Sequence, residues 1–229
     1  MLKIIIIKLK GLFTVEFKNL FKKQRKFNAY NEIDKKMLKY INYKNGFYID
    51  CGANDGVNQS NTWYYEKNLN WDGILIEPIP LTFNLLKKNR SKKNIFENCI
   101  LVSRNFEDDK FEIHYNSNDT LTGSVYQNKK AKNTSVVKAT QLSSILEKNK
   151  INRIIDFFSL DVEGYELEVL EGINFEKFRF KYILVETVNI KKLNDFFIKK
   201  NFEMVERLSD YNYGDRPEYG DYLFVNKSL

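Results

Sequence analysis

The chain has 229 residues, 43% hydrophobic and 29% charged, which is enough for one well-buried domain and excludes a disordered polypeptide. Two cysteines and a single histidine exclude a disulfide framework and a histidine-rich metal centre, and they fit a reducing compartment, the cytoplasm. The net charge of +7 is confined to residues 1–28, where eight basic residues face only Glu16, and the neutral remainder argues against a sequence-reading nucleic-acid protein.

Residues 1–29 read as a basic extension ahead of one domain, 30–229. The Ile4–Ile7 run is broken by Lys8 and Lys10. It is too short for a signal-peptide core or a membrane span. Leu9, Leu12, Phe13, Phe17, Leu20 and Phe21 recur near helical spacing. Two readings fit: a basic amphipathic helix on the inner face of a membrane, or a helix capping the domain.

Asn31 is placed to cap a helix carrying Ile33, Met37, Leu38 and Ile41. Phe47–Cys51 is a short buried strand stopped by Gly52, and a helix starts near Ser60 in SNTWYYEK. Ile74–Ile76 is a second strand, stopped by Glu77 and Pro78. LTFNLLKK is a helix entered through Pro80 or Thr82, and NIFENCILVS is a third strand. In KFEIHY, Phe111, Ile113 and Tyr115 alternate with polar residues, which turns His114 to the outward face. TLTGSV is either a turn around Gly123 or part of a pocket wall. SVVKAT is a strand and LSSILEK a short helix. IIDFFSLDVEG is a buried strand ending in acid-x-acid-Gly, and YELEVLEG is a helix stopped by Gly172. KYILVET is a strand, KKLNDFFIKK a helix and GDYLFV the last strand.

Strands alternate with helices, and the strands are continuously apolar. That pattern indicates a parallel sheet covered on both faces. Such sheets bind ligands beyond the carboxyl ends of their strands. The unusual loops fall there: GANDG after the first strand, EP after the second, DVEG after a later one. Glu77 lies 25 residues after Gly52, where nucleoside-binding sheets place the acceptor for ribose hydroxyls. The dinucleotide fingerprint G-x-G-x-x-G is absent, which disfavours an NAD-dependent oxidoreductase. Asp50 and Asp55 add negative charge where a pyrophosphate needs a bare helix N-terminus. A ligand bearing a cation fits better. S-adenosylmethionine is such a ligand, with Asp50 or Asp55 receiving its ammonium group.

YIDCGANDG, GILIEP and FFSLDVEGYELEVLEG, in this order, resemble the FkbM family of S-adenosylmethionine-dependent methyltransferases, from about Gly46 to the C-terminus. Ser60–Thr62, WDGILIEP and GDYLFV are similar to a family branch found in bacterial glycan clusters. The resemblance implies an α/β, three-layer, Rossmann-like class I methyltransferase fold, with a mostly parallel seven-stranded sheet and a reversed last strand. It implies that Asp50, Gly52 and Asn54 shape the methionine end of the cofactor pocket, with Asp55 and Ser60 beside them. It places Glu77 and Pro78 at the ribose. It sets Asp161 and Glu163 at the mouth of the fourth core strand, close to the transferring methyl. The implied acceptor is a hydroxyl, of a sugar in a surface glycan or its precursor. Another acceptor (small molecule, protein or RNA) and a non-catalytic binding module are the alternatives.

A sugar hydroxyl is a poor nucleophile and requires a base or a metal. Asp161 is the first candidate base and Glu163 the second. Both could instead ligate Mg²⁺ through oxygen. Glu163 fits equally a cap for a helix beginning at Gly164. In SDYNYGDRPEYGDY, Tyr211, Tyr213, Arg216 and Tyr219 suit a cover over a sugar acceptor, the alternative being an ordinary hairpin connection.

Overall fold

The apolar runs of the sequence settle into two sheets. The computed structural model describes residues 27–116, 119–124, 133–209, 211 and 214–229. The expected extension helix lies outside the described residues, as does Tyr213. The main sheet is built from β1 (Phe47–Cys51), β2 (Asp72–Ile76), β3 (Ile95–Glu97), β8 (Ile155–Leu160), β9 (Phe180–Thr187), β10 (Phe202–Arg207) and β11 (Gly220–Asn226), in the order β3-β2-β1-β8-β9-β11-β10. Strands β3, β2, β1, β8 and β9 are parallel, and β11 runs antiparallel to both its neighbours. The expected sheet with a reversed last strand is borne out.

Strand periodicity explains why these runs are apolar throughout. Phe47, Ile49 and Cys51 point into one core, together with Ile74, Ile76, Phe158 and Leu160. Tyr48, Leu75 and Phe157, on the alternate positions, point into the other. Helices cover each side. The first core takes Leu142, Ile145 and Leu146 of α4 (Leu142–Lys148), Val169 and Leu170 of α5 (Glu166–Glu171), and Leu193 and Phe197 of α6 (Ile190–Lys199). The second takes Ile33 of the short α1 (Ile33–Lys36), Tyr64 and Tyr65 of α2 (Trp63–Leu69) and Leu86 of α3 (Pro80–Asn89). No helix among the described residues is long and apolar enough to cross a membrane.

Several local expectations are corrected. NIFENCILVS is two strands. The chain leaves the main sheet at Asn98, whose Nδ2 donates to the carbonyls of Glu77 (2.7 Å) and Pro78 (2.9 Å). It then opens a second sheet of β4 (Cys99–Leu101), β7 (Asn133–Thr140), β5 (Lys110–Asn116) and β6 (Asp119–Ser124), in the order β4-β7-β5-β6. TLTGSV is therefore mostly strand β6, not a turn around Gly123. Asn31 is no cap: it sits inside a 3₁₀ turn at φ 50°. The buried Asp34 carboxylate instead accepts from the N–H groups of Asn28 and Ala29, tying the preceding segment to the helix. Gly172 ends α5 without a left-handed turn, at φ −77°. It is glycine because a Cβ there would meet the Val102 carbonyl at 2.3 Å. FEMVER, not expected to be a strand, is the edge strand β10, and only Phe202 of it is buried.

Candidate active site

The carboxyl ends of β1, β2, β8 and β9 open onto a cavity of about 370 Å³. Its floor is the GANDG loop. The Gly52 and Ala53 N–H groups both donate to Ile76 O at 3.1 Å, and the Asp161 N–H donates to Cys51 O at 3.0 Å. Three strand ends are thereby tied at one point. Gly52 adopts φ +84°, and a Cβ on it would lie 1.8 Å from the Asp161 carbonyl oxygen. That contact is backbone on backbone, so no rotamer relieves it. Gly52→Ala is expected to cost about 3 kcal/mol or more, from overpacking and left-handed strain, read as a lower urea midpoint.

Behind this loop lies a buried polar network. Arg90 is 3% exposed. It donates to Glu66 (2.8 Å), the Gly56 carbonyl (3.1 Å), Ser60 (3.2 Å), Tyr48 (2.8 Å) and Thr62 (3.0 Å), engaging all five N–H groups. Burial works against ionisation of Glu66, but the Arg90 charge and the bonds from Lys67, Arg90 and Asn94 take its carboxyl down to about 2. Asp50 is buried at the edge of the cavity, and burial raises its carboxyl despite Arg90, Thr62 and Ser60. Thr62 donates to Asp50 Oδ2 at 2.5 Å and Ser60 at 3.5 Å.

The expected cofactor residues divide cleanly. Asp50, Gly52, Asn54, Ser60, Glu77 and Pro78 all line the cavity. Asp55 does not. Its Oδ1 accepts from the N–H groups of Val57 and Asn58, both at 2.9 Å, so the carboxylate closes its own turn. Glu77 is 5% exposed. It accepts one backbone N–H on each oxygen, from Asn54 at 3.0 Å and Ile79 at 2.8 Å. Burial pushes its carboxyl up to about 7. Beside it, Ile79, Ile100 and Ile113 form an apolar wall shared with the second sheet. His114, expected to face outward, lines the cavity instead. Ile113 lines it too, while Glu112 on the same face as His114 is exposed, so β5 meets the cavity at these two consecutive residues and not along its polar face.

At the far end the acids gather. Carboxylate oxygens of Asp161, Glu163 and Glu186 lie within 4.8 Å of one another. Such a spacing admits a hard cation or a shared proton. Desolvation, then Glu186, Glu163 and Asp221, raise the Asp161 carboxyl well above the ordinary range. Glu163 is not at the first turn of a helix: α5 starts at Glu166, and Glu163 (φ 54°) and Gly164 (φ 99°) turn the chain before it. The carboxylate on the Gly164 N–H is that of Glu166, at 2.7 Å. Glu186 at the end of β9 and Asp221 at the start of β11 are site residues that the sequence reading missed. Asp221 is buried, which pushes its carboxyl up to about 6.

Tyrosines close this end. Tyr211 stacks on Tyr219 (4.4 Å between rings) and on Tyr30 (4.9 Å). The hydroxyl of Tyr219 donates to Glu186 at 2.7 Å, and that of Tyr211 to Asp221 at 3.1 Å. Both tyrosines therefore reach the cavity as expected. Arg216 is exposed and does not line it. Tyr30 joins them from the start of the domain. Phe27 stacks on Tyr64, and Ala29 bridges to Gln59, which fixes this segment to the domain body.

The family model described as the methyltransferase FkbM domain matches residues 50–214. No curated protein matches the sequence. Among solved structures, methyltransferase FkbM from Methylobacillus flagellatus KT is 12% identical at TM-score 0.49, covering 82% of this chain but 45% of its own. This chain thus spans less than half of that protein. Precorrin-6y C5,15-methyltransferase from Geobacter metallireducens GS-15 is 10% identical at TM-score 0.44, covering 88% and 93%. The 1,6-didemethyltoxoflavin-N1-methyltransferase from Burkholderia thailandensis, holding S-adenosylhomocysteine, is 10% identical at TM-score 0.42, covering 95% and 85%.

Proposed function

The chain belongs to the FkbM methyltransferase family, and on that premise we propose that it transfers a methyl group from S-adenosylmethionine to a hydroxyl of a sugar in a bacterial surface glycan or its precursor. The observation that carries the cofactor assignment is Glu77. Each of its oxygens accepts one backbone N–H, Glu77 lines the cavity, and a carboxylate oxygen has a second lone pair that a ribose hydroxyl can use. The apolar wall of Ile79, Ile100 and Ile113 suits the adenine. The acids at the far end suit a sulfonium cation.

The cofactor supplies a methyl group already activated for displacement. The chain supplies position and a proton acceptor. Bound there, the cofactor would offer its methyl carbon to the acceptor oxygen, and the chain's part would be to orient that oxygen and take its proton. Asp161 takes the hydroxyl proton, and Glu163 is the second candidate. The Tyr30–Tyr211–Tyr219 stack supports a sugar acceptor, because the C–H faces of pyranoses pack on aromatic rings.

Calorimetric titration with S-adenosylmethionine, with NAD as control, followed by transfer of a labelled methyl group to nucleotide sugars and lipid-linked oligosaccharides, tests both halves. The expected result is cofactor binding without NAD binding, and alkali-stable label on sugar oxygen. Binding of NAD alone would remove the proposal. Label found only on protein or RNA would refute the acceptor.

A further inference from the structure

The stacked tyrosines at the acidic end of the cavity do not share one task. Tyr211 is the middle ring. Tyr30 lies nearly parallel to it at 4.9 Å and 5°, and Tyr219 at 4.4 Å and 15°, so both of its faces are covered. The hydroxyls of the inner pair are committed to acids, that of Tyr211 to Asp221 and that of Tyr219 to Glu186. Tyr30 ends the stack. It lines the cavity and is 40% exposed, and no other aromatic side chain among the described residues is as open to solvent. The face turned away from Tyr211 is therefore the one a ligand can reach.

The backbone holds this ring in place from both sides. Ahead of it, the N–H groups of Asn28 and Ala29 donate to the Asp34 carboxylate, and Ala29 bridges to Gln59. Directly after it, Asn31 and Glu32 both take positive φ, 50° and 55°. Side chains rarely adopt that conformation, and such strain gathers where a protein positions a ligand. The Ala29 bridge also sets Gln59, exposed and lining the cavity, next to Tyr30. A flat apolar ring with an amide at its edge suits a sugar. The C–H face of a pyranose packs on the ring, and the amide pairs with hydroxyls around its rim. Tyr30 lies outside residues 50–214 matched by the family model, so the shared domain does not supply this ring.

We infer that Tyr30 is the acceptor platform and a determinant of acceptor specificity: the sugar ring packs on its outer face with Gln59 at its edge, while Tyr211 and Tyr219 back the platform and hold the acids. The assignment rests on the acceptor reading above, and the experiment separates the two.

Transfer of labelled methyl by the full chain is followed with UDP-N-acetylglucosamine, GDP-mannose and a lipid-linked oligosaccharide as acceptors. Tyr30→Ala should raise the acceptor KM about tenfold or more, with kcat within about threefold and calorimetric S-adenosylmethionine affinity within about twofold of wild type. Tyr30→Phe and Tyr30→Trp keep a flat face and should hold KM within about threefold. Melting curves establish that each variant is folded. An unchanged KM in Tyr30→Ala would overturn the platform. So would a Tyr30→Phe loss as large as that of alanine, because the hydroxyl and not the ring would then matter. An equal loss of cofactor affinity in Tyr30→Ala would also overturn it, as the mark of a ring that only shapes the cavity. Wild type that methylates none of these sugars would instead refute the acceptor reading itself.

Discussion

Asp161→Asn is expected to lower kcat about 10²- to 10⁴-fold while S-adenosylmethionine affinity stays within about threefold, the range general-base catalysis supplies. The change is isosteric and removes the capacity to take a proton together with the charge of the ionised form. Its effect on pH is equally specific. The Asp161 carboxyl lies well above the ordinary aspartate range, because it is desolvated and surrounded by Glu186, Glu163 and Asp221. A base with a raised pKa works only once it is ionised, so wild-type activity should rise with pH through that raised value. In the variant this rise should vanish. Stability moves the opposite way. A carboxyl whose folded-state pKa exceeds its unfolded value adds stability while protonated and loses that contribution as pH climbs through the folded value. Asp161→Asn removes this loss, so its melting temperature should gain on wild type between acid and alkaline pH. A variant that turns over at the wild-type rate would sink the assignment and move the base to Glu186 or Glu163.

The layered sheet was legible because strand periodicity and turn chemistry agree locally. Phe47–Cys51 must be buried on both faces, and Gly52 must turn where a side chain has no room. What escaped notice depends on contacts far apart in sequence. Asn98 divides a continuous apolar run because two carbonyls of the Glu77–Pro78 loop need its amide. FEMVER presents charged side chains to solvent along an edge, so its pairing shows only once β11 lies beside it. His114 obeys the alternation, but alternation cannot show that two consecutive residues of β5, Ile113 and His114, both border one cavity. Glu186 was within reach: it is an acid near the carboxyl end of a parallel strand, the same signal that singled out Glu77. Asp221 and Tyr30 give no such signal. Asp55 misled because an Asx turn and a ligand-binding acid look alike in a glycine loop.

Glu77→Ala should weaken S-adenosylmethionine binding about 10²- to 10⁴-fold, the most severe loss expected for a single cofactor contact. Two hydrogen bonds from ribose hydroxyls to one ionised carboxylate contribute about 1.5–3 kcal/mol each in a buried site. The resting carboxyl sits at about 7, raised by burial against the bonds from Ile79 and Asn54. Hydroxyl donors favour its ionised form. Wild-type affinity should therefore strengthen between pH 6 and pH 8, with a proton released on binding at the lower pH. The variant should lose both the affinity and this slope. Its N–H groups at Asn54 and Ile79 are left without their carboxylate, so some destabilisation of the loop accompanies the change. Glu77→Gln separates the two effects. The amide can satisfy one of the two backbone donors, retaining much of the loop, while the charge that holds the ribose is gone. Calorimetry of all three proteins at both pH values is the check. A Glu77→Gln protein that binds as tightly as wild type, with the same pH slope, would show that the ribose is held elsewhere and that Glu77 serves only to shape the loop.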